Sequence, residues 1–231
     1  MMKYLGGIIL LLISLQTPAS LVLQGTRVIF PSDRKMVSIQ ITNYSEQPTL
    51  TQSWIDEGNI NSTPETTNAP FIVTPPINKI AANDGVQLRI RFLGNNLPMD
   101  RESVYYLNVL DIAPKPKNTQ GMNTLQLAIQ TRIKVFYRPI SLLPLPDTLL
   151  DSAKFYANDG LLTVNNPTPY FLSIANIYIA NNANDSIAKS LMIAPFSTQT
   201  IPSGKKVING ENITVVYIDD TGQQIAYQAK L

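Results

Sequence analysis

Apolar and polar residues alternate through the run Leu125-Gln126-Leu127-Ala128-Ile129-Gln130-Thr131-Arg132-Ile133-Lys134-Val135-Phe136-Tyr137-Arg138-Pro139. Alternation of this kind predicts a β-strand with one buried face. At about 3.3 Å per residue the strand would extend about 50 Å, whereas a domain of about 100 residues has a diameter of only about 34 Å. Part of the strand therefore serves something outside its own core. Two consecutive strands, or one strand broken by a bulge, are the alternative.

The first residues are typical of a secretory signal peptide. Met1-Met2-Lys3 forms a short basic start, an almost wholly apolar segment runs from Leu5 to Leu15, and small residues lie around Ala19. The apolar segment is too short to span a bilayer as a helix. We therefore expect residues 1–19 to be removed on export and the mature chain not to insert in a membrane. An uncleaved buried helix or anchor is the alternative.

Histidine and cysteine are both absent from the chain. Their absence excludes Ser-His-Asp and Cys-His nucleophile systems, zinc sites built on these residues and any disulfide framework. Three carboxylate pairs remain candidates for catalysis, namely Asp56 with Glu57, Asp100 with Glu102, and Asp219 with Asp220. Each pair lies beside turn-forming residues, where acids are common for solubility. We therefore expect no enzyme, no metal site and no other cofactor.

The charge balance is close to neutral, with 18 basic and 16 acidic residues and a formal net charge of +2. A nucleic-acid surface would show a clear basic excess. We therefore expect no nucleic-acid partner.

Strand-like segments punctuated by Pro, Gly, Asn and Asp recur along the chain, which predicts an all-β protein built of antiparallel sandwiches. Seven candidate strands precede Pro139, namely Leu21–Phe30, Met36–Thr42, Leu50–Ile55, Phe71–Thr74, Val86–Phe92, Ser103–Ile112 and Leu125–Tyr137. Seven follow it, namely Ala153–Ala157, Leu161–Asn165, Phe171–Ala180, Ser190–Ile193, Ser197–Ile201, Thr214–Ile218 and Gln224–Ala229. Loops are predicted at Asn59–Pro70 and Ala113–Met122.

Prolines mark a domain boundary after the long run. Pro139, Pro144 and Pro146 cannot donate hydrogen bonds to a strand ladder, and they stiffen the connection. We expect a first domain over residues 20–140, a linker over 141–148 and a second, smaller sandwich over 149–231.

Several motifs resemble those of the periplasmic chaperones of the chaperone–usher pilus pathway, the PapD-like family. In the first domain they are, in the family's order, Gly25-Thr26-Arg27-Val28-Ile29-Phe30-Pro31, Gln52-Ser53-Trp54-Ile55-Asp56, Phe71-Ile72-Val73-Thr74-Pro75-Pro76, Leu97-Pro98-Met99-Asp100-Arg101-Glu102-Ser103, Tyr106-Leu107-Asn108-Val109 and Arg132–Pro139. In the second domain the resemblance thins to Asn165-Asn166-Pro167-Thr168-Pro169-Tyr170, Ile193-Ala194-Pro195-Phe196 and Ile218-Asp219-Asp220-Thr221-Gly222. The resemblance implies two immunoglobulin-like β-sandwich domains in a boomerang arrangement, with a cleft between them.

The resemblance also implies a mechanism. Pilus subunits of this pathway are sandwiches that lack their last strand, and they expose an apolar groove and an unpaired edge that promote aggregation. The chaperone lends a strand to complete them. Leu125, Leu127 and Ile129 occupy the donor positions, two residues apart so that all three face one way. The alternative is that these side chains fill the core of their own domain.

Arg27 and Lys134 match the family's cleft cations, which bind the C-terminal carboxylate of the subunit. Such an anchor would set the register of the added strand, because a slip by one residue presents the wrong side chains. Strict alternation puts Lys134 on the opposite face from Leu125, so a bulge, a twist or the cleft geometry must reconcile the two. The alternative is that both cations are ordinary solvated surface charges.

Glu102, Arg138 and Asp220 match positions where the family makes a charge bridge between its domains. Asp219 is the alternative to Asp220 in this alignment. Because partly exposed ion pairs contribute little stability, we expect the bridge to fix the angle between the domains more than it stabilises the fold.

We therefore expect a periplasmic chaperone that binds and folds pilus or fimbrial subunits and delivers them to an outer-membrane usher. The short connection between Ile112 and Leu125 suggests the family's short-loop class. A self-capping homodimer is a further partner that the resemblance allows. The rival interpretations are that the chain is itself a pilus subunit or adhesin, or an exported carboxylate enzyme on a sandwich scaffold.

Overall fold

A computed structural model describes residues 21–94, 96–114, 125–179, 184, 186–202 and 206–231. The expected signal peptide and most of the predicted loop Ala113–Met122 lie outside these residues. The described part of the chain folds into β-strands, with two short 3₁₀ helices at Ile140–Leu142 and Leu149–Asp151. Within those residues no helix is long and apolar enough to cross a membrane.

The first domain is a sandwich of two sheets. Its strands are β1 (Leu21–Leu23), β2 (Arg27–Pro31), β3 (Met36–Asn43), β4 (Thr49–Asp56), β5 (Phe71–Thr74), β6 (Ile77–Ile80), β7 (Gly85–Phe92), β8 (Ser103–Ile112) and β9 (Ala128–Arg138). One sheet has the order β1-β3-β7-β5, and the other has the order β2-β9-β8-β4-β6. The pairing of β2 with β9 is parallel, whereas the other strand pairings in the described part of this domain are antiparallel.

The second domain is a smaller sandwich that begins after the second 3₁₀ helix. Its strands are β10 (Lys154–Asn158), β11 (Leu161–Asn166), β12 (Leu172–Ile179), β13 (Ser186–Ile193), β14 (Ser197–Ile201), β15 (Asn212–Ile218) and β16 (Gln224–Lys230). The sheets have the orders β10-β11-β14 and β13-β12-β15-β16. The predicted all-β class with two sandwich domains is confirmed, while the exact domain and linker boundaries stay a prediction.

Each domain buries its own apolar core, to which successive strands contribute the side chains of one face. In the first domain the fully enclosed side chains include Phe30, Ile41, Leu88, Leu107 and Val135. In the second they include Leu162, Ile177, Ile193, Ile213 and Val215. The two cores are separate clusters, so the domains meet through contacts at their junction rather than through a shared interior.

The strand predicted over Leu21–Phe30 is wrong in one respect, because it is two strands in different sheets. β1 pairs with β3, whereas β2 pairs with β9. Between them Gly25 has a φ of +123°, a conformation that favours glycine and lets the chain leave one sheet for the other. The sequence pattern did not predict strand β6, because Pro75 and Pro76 directly precede it and are typical of loops.

In each domain a buried asparagine holds a loop in place through hydrogen bonds to main-chain carbonyls. The Asn43 amide donates to the carbonyls of Gln47 and Ala81 at 2.8 and 3.0 Å. Asn166 likewise donates to Tyr170 O and Ala194 O at 2.7 and 2.9 Å. Both asparagines are fully buried, and each accepts hydrogen bonds from the residue two positions later, Ser45 or Thr168.

We expect Asn166→Ala to destabilise the second domain strongly. The change leaves two or more buried carbonyls and the Thr168 N–H without a partner, at about 1–3 kcal/mol for each orphaned group. Urea unfolding followed by circular dichroism measures the loss. The matched control is Asn165→Ala, which removes an exposed hydrogen bond to Thr198 Oγ1. Equal losses in the two variants would contradict the structural role of Asn166.

Candidate functional site

Strand β9 presents two chemically different faces. Ile133, Val135 and Tyr137 point into the core of the first domain. Lys134, Phe136 and Arg138 alternate with them and lie on the opposite face, where Phe136 packs against Phe171 of the second domain with ring centroids 5.9 Å apart. One strand therefore serves the core with one face and the domain junction with the other.

The three donor candidates are exposed. Leu125, Leu127 and Ile129 expose 83%, 65% and 59% of their surface, so the alternative that they fill their own core is wrong. The predicted strand Leu125–Tyr137 is corrected to Ala128–Arg138. Its ladder with β8 ends where Ala128 faces Ile112, the last residue of β8. An 11-residue strand extends about 36 Å, so exposure rather than length indicates an outside partner.

The first half of β9 has a neighbour on one side. Ala128–Ile133 pair with Leu107–Ile112 of β8. On the other side β2 pairs only with Lys134–Arg138, and no other strand of the described residues lies there. The backbone of Ala128–Ile133 therefore forms an open edge that ends at Lys134.

Arg27 and Lys134 lie side by side at the end of this open edge. They are directly paired residues of the parallel strands β2 and β9. The Arg27 Nη1 donates to the carbonyl of Ile218 at 2.9 Å, and its guanidinium carbon lies 5.9 Å from the Phe136 ring centroid. Arg27 Nε is buried without a hydrogen-bond partner in the described structure.

Neither cation is an ordinary solvated surface charge. Burial is the main cause that lowers the pKa of Arg27, with nearby acids opposing it. Burial also lowers the pKa of Lys134, and the charge of Arg27 adds to that effect. Within the described ranges Lys134 makes no hydrogen bond or ion pair. Two half-buried cations that repel each other form a site that favours an anion.

The register of β9 resolves how the cations relate to the donor candidates. Its pairing with β8 runs without a shift from Ala128 to Tyr137, so no bulge interrupts the strand. Lys134 and Ile129 therefore lie on opposite faces. The open edge lies between these two faces, and a strand added there can reach both.

Glu102, Arg138 and Asp220 come together at the domain junction. Arg138 Nε donates to Glu102 Oε1 at 2.7 Å, and Arg138 Nη2 donates to Asp220 Oδ1 at 2.7 Å. The Glu102 carboxylate also accepts a hydrogen bond from the N–H of Phe171 at 2.7 Å, and the Glu102 N–H donates to Pro169 O at 2.9 Å. Of the two acids considered, Asp220 binds Arg138, whereas Asp219 holds its own turn through hydrogen bonds from Thr221 and Gln223.

The expectation that this bridge is partly exposed is wrong for two of its members. The side chains of Arg138 and Glu102 are each only 2% exposed, while that of Asp220 is 32% exposed. Burial raises the pKa of Glu102, although the charge of Arg138 opposes the rise. For Arg138 burial acts to lower the pKa, but hydrogen bonds and attraction to Asp220 and Glu102 outweigh it and raise the value. The structure depends on the pair remaining together.

The remaining carboxylates of the proposed catalytic pairs have structural partners. Asp56 accepts hydrogen bonds from Arg132, Asn108 and Gly58, and Glu57 accepts from Thr67. Asp100 forms an exposed pair with its neighbour Arg101. These contacts hold strands and loops in place. The cavity at the junction, lined by Arg27 and Glu102 among others, measures about 10 Å³ and has room for no more than a water molecule.

Sequence reasoning missed the backbone partners of this site. The carbonyl of Ile218 and the N–H of Phe171 hold Arg27 and Glu102, and a main-chain group leaves no signature in residue identity. The contact between the rings of Phe136 and Phe171 was also missed. Its only signal was the position of Phe136 between Lys134 and Arg138 on the same face of an alternating strand.

We expect Arg138→Met to cost about 3–5 kcal/mol of stability, because it leaves the buried Glu102 carboxylate without its counter-charge. The double variant Glu102→Gln with Arg138→Met should lose less than the sum of the two single variants. Urea unfolding of the wild type, both single variants and the double variant measures this coupling. Strictly additive losses would show that the two side chains do not depend on each other.

Comparison with known proteins places the chain in a family. A family model described as "Pili and flagellar-assembly chaperone, PapD N-terminal domain" matches residues 20–143. A second, described as "Pili assembly chaperone PapD, C-terminal domain", matches residues 149–229. Together the two models span both sandwiches.

Relatives and solved structures agree with the family models. The chain is 38% identical to the chaperone protein MrkB of Klebsiella pneumoniae over 212 residues, covering 90% of this chain and 89% of the relative. It is 36% identical to the probable fimbrial chaperone YehC of Escherichia coli over 226 residues, covering 97% and 93%. The crystal structure of the CupB2 chaperone of Pseudomonas aeruginosa superposes with a TM-score of 0.77 at 32% identity, covering 91% of this chain and 100% of the other. The resemblance seen in the sequence is confirmed, and the chain belongs to the PapD-like fimbrial and pilus assembly chaperones of the chaperone–usher family.

Proposed function

We propose that the protein captures fimbrial subunits in the periplasm by lending them strand β9 and then delivers them to an outer-membrane usher. The observation that carries this proposal is the open edge at Ala128–Ile133, which lies beside exposed apolar side chains and ends at two half-buried cations. Main-chain hydrogen bonds to such an edge require no catalytic group and no cofactor.

The split of the first strand supports the open edge as a binding surface. Arg27 faces Lys134, so a β2 that continued upstream in the same register would set Leu21 against Ala128. Instead the chain turns away at Gly25, and Leu21–Leu23 joins the other sheet. The place beside Ala128–Ile133 is therefore left for a strand from another molecule.

The direction of an added strand decides what meets the cations. A strand that continues the line of β2 runs parallel to β9, so its C-terminal end approaches Lys134 and Arg27. There its carboxylate can receive charge-assisted hydrogen bonds, each worth about 1.5–3 kcal/mol. An antiparallel strand would bring its N-terminus towards the two cations, and an N-terminal ammonium would be repelled. The cations thus favour the C-terminal strand of a subunit and set its register.

The exposed aliphatic side chains would fill the groove of the subunit. Leu125, Leu127 and Ile129 are an even number of positions from the core-facing Ile133 and Val135, so an extended chain places all five on the same face. Their burial is worth very roughly 5–9 kcal/mol before the costs of ordering and association are subtracted. A complex of this strength can be stable and still exchange its subunit for a neighbouring one during delivery to the usher.

We expect Arg27→Ala and Lys134→Ala each to lower the recovery of subunit in the periplasm by about tenfold or more, because each removes charge-assisted hydrogen bonds to the carboxylate. The experiment co-expresses the chaperone with fimbrial subunits encoded by neighbouring genes and measures the co-purified subunit. Arg34→Ala is the matched control, since Arg34 is 69% exposed and only loosely paired with Asp33. Unchanged recovery with both variants would refute the anchoring role.

We expect Leu127→Asp to weaken capture while the free protein stays folded, because the Leu127 side chain is 65% exposed. The same co-purification, together with thermal unfolding of the isolated chaperone, tests both halves of this expectation. Leu93→Asp is the control for an added charge at a similarly exposed leucine outside the edge. Unfolding of the Leu127→Asp chaperone would mean that Leu127 belongs to the core.

Binding should weaken at alkaline pH in a manner that depends on Lys134. Burial and Arg27 lower the pKa of Lys134 in the free protein, and a bound carboxylate would raise it. Affinity is then constant below the lowered pKa and falls as the pH rises through it, before an ordinary lysine at about 10.4 would titrate. The change Lys134→Arg should remove this decline, because arginine stays charged. A decline that persists in Lys134→Arg would have another cause.

A further inference from the structure

The cleft cation Arg27 is held by the other domain. A turn, Ile218–Gln223, joins β15 to β16 in the second domain. The carbonyl of Ile218 accepts the hydrogen bond from Arg27 Nη1, while two residues later Asp220 accepts hydrogen bonds from Arg138. The turn therefore contacts two arginines of the first domain, Arg27 and Arg138, and its position affects where the Arg27 guanidinium points.

Gly222 lets this turn approach the first domain closely. Its φ is +89°, a conformation that side chains rarely adopt. A Cβ added there would lie 2.5 Å from the Oγ1 of Thr26, which is closer than real Cβ contacts come. Thr26 directly precedes Arg27, and its β-branched side chain has few rotamers with which to move aside.

Hydrogen bonds to one carboxylate hold the turn together. Asp219 Oδ1 accepts hydrogen bonds from the N–H and hydroxyl of Thr221 and from the N–H of Gln223, at 2.7 to 2.9 Å. Burial acts to raise the pKa of Asp219, but these hydrogen bonds outweigh it and lower the value. The carboxylate therefore stays ionised and keeps accepting these hydrogen bonds. A clash at Gly222 is then passed to Thr26 and Arg27 rather than absorbed within the turn.

We propose that Gly222 is a positioning residue for the carboxylate site, and this inference rests on the proposed function. Because Gly222 has no Cβ, the turn can approach Thr26 closely. The Ile218 carbonyl then holds the Arg27 guanidinium at the end of the open edge. The site that recognises a subunit's C-terminus is thereby built from both domains. Selectivity for a free carboxylate then depends on the second domain, although the described residues of that domain supply no cation to the site.

The test compares carboxylate selectivity in a set of matched variants. Gly222→Ala is the test variant. Gly210→Ala is its control, because Gly210 has a similar φ of +96° but a Cβ there would meet nothing within 4 Å. The double variant Thr26→Ala with Gly222→Ala removes the clashing Oγ1. The probe is a short N-acetylated peptide that alternates valine and threonine, supplied with a free C-terminal carboxylate or as the amide, and NMR titration measures both affinities.

We expect wild type and Gly210→Ala to prefer the free acid over the amide by about tenfold or more, as a charge-assisted hydrogen bond implies. Gly222→Ala should lose most of this preference, and the double variant should regain it. The melting temperature should fall in both single glycine variants, since both strain the backbone, and it should fall further in Gly222→Ala, which adds the clash with Thr26. If Gly222→Ala fails to fold, Thr26→Ile enlarges the same contact from the other side and should also reduce the preference.

The outcomes separate this inference from the proposed function. If Arg27→Ala abolishes the preference but Gly222→Ala and Thr26→Ile retain it, Gly222 does not position Arg27 and the inference is overturned. Failure of Thr26→Ala to restore selectivity in the double variant would overturn it as well. If the wild type does not distinguish the acid from the amide, the carboxylate site itself is refuted, and the inference is refuted with it.

Discussion

The unbroken register of β9 between β2 and β8 is the constraint on which the rest of the molecule depends. Because a strand alternates its side chains between two faces, the pairing of Arg27 with Lys134 sends Ile133 and Val135 into the core and Phe136 and Arg138 towards the second domain. The same pairing starts only at Lys134, so the upstream backbone stays open. A shift by one residue would bury the cations and expose the core side chains.

Within the described part of the junction the two arginines have acidic neighbours, whereas no acid raises the pKa of Lys134. The charges of Glu102, Asp219 and Asp220 act on Arg27, and those of Glu102 and Asp220 act on Arg138. Lys134 adds one positive charge beside Arg27 without an acid of its own. A single carboxylate from a bound strand would give Lys134 an acidic partner. The buried bridge through Arg138 occupies Glu102 and Asp220, so neither acid pairs with Lys134 at the end of the open edge.

The sequence predicted most of this arrangement where local pattern is informative. Alternation predicted β7, β8 and most of β9. Glu102, Arg138 and Asp220, to which the family motifs pointed, lie in contact. The split at Gly25 was not predicted, because β1 and β2 have the same strand-like composition and only tertiary pairing assigns them to different sheets. The expectation of a partly exposed bridge was wrong for Arg138 and Glu102, because their burial depends on how the two domains meet. The contact of Gly222 with Thr26 joins residues far apart in sequence and has no local pattern.

An open edge with apolar neighbours invites pairing with any strand, and a second copy of the chain is the nearest competitor. Two identical edges that pair about a two-fold axis perpendicular to the sheet run antiparallel. In that arrangement the Lys134 end of one edge faces the Ala128 end of the other, and no C-terminal carboxylate reaches the two cations. Self-pairing would therefore cover the aliphatic side chains but leave the half-buried charges of Arg27 and Lys134 unneutralised. A parallel subunit strand that ends in a carboxylate would cover the aliphatic side chains and also neutralise the two cations. The cations therefore favour a subunit strand over a second chaperone, and this preference needs no steric barrier to self-pairing.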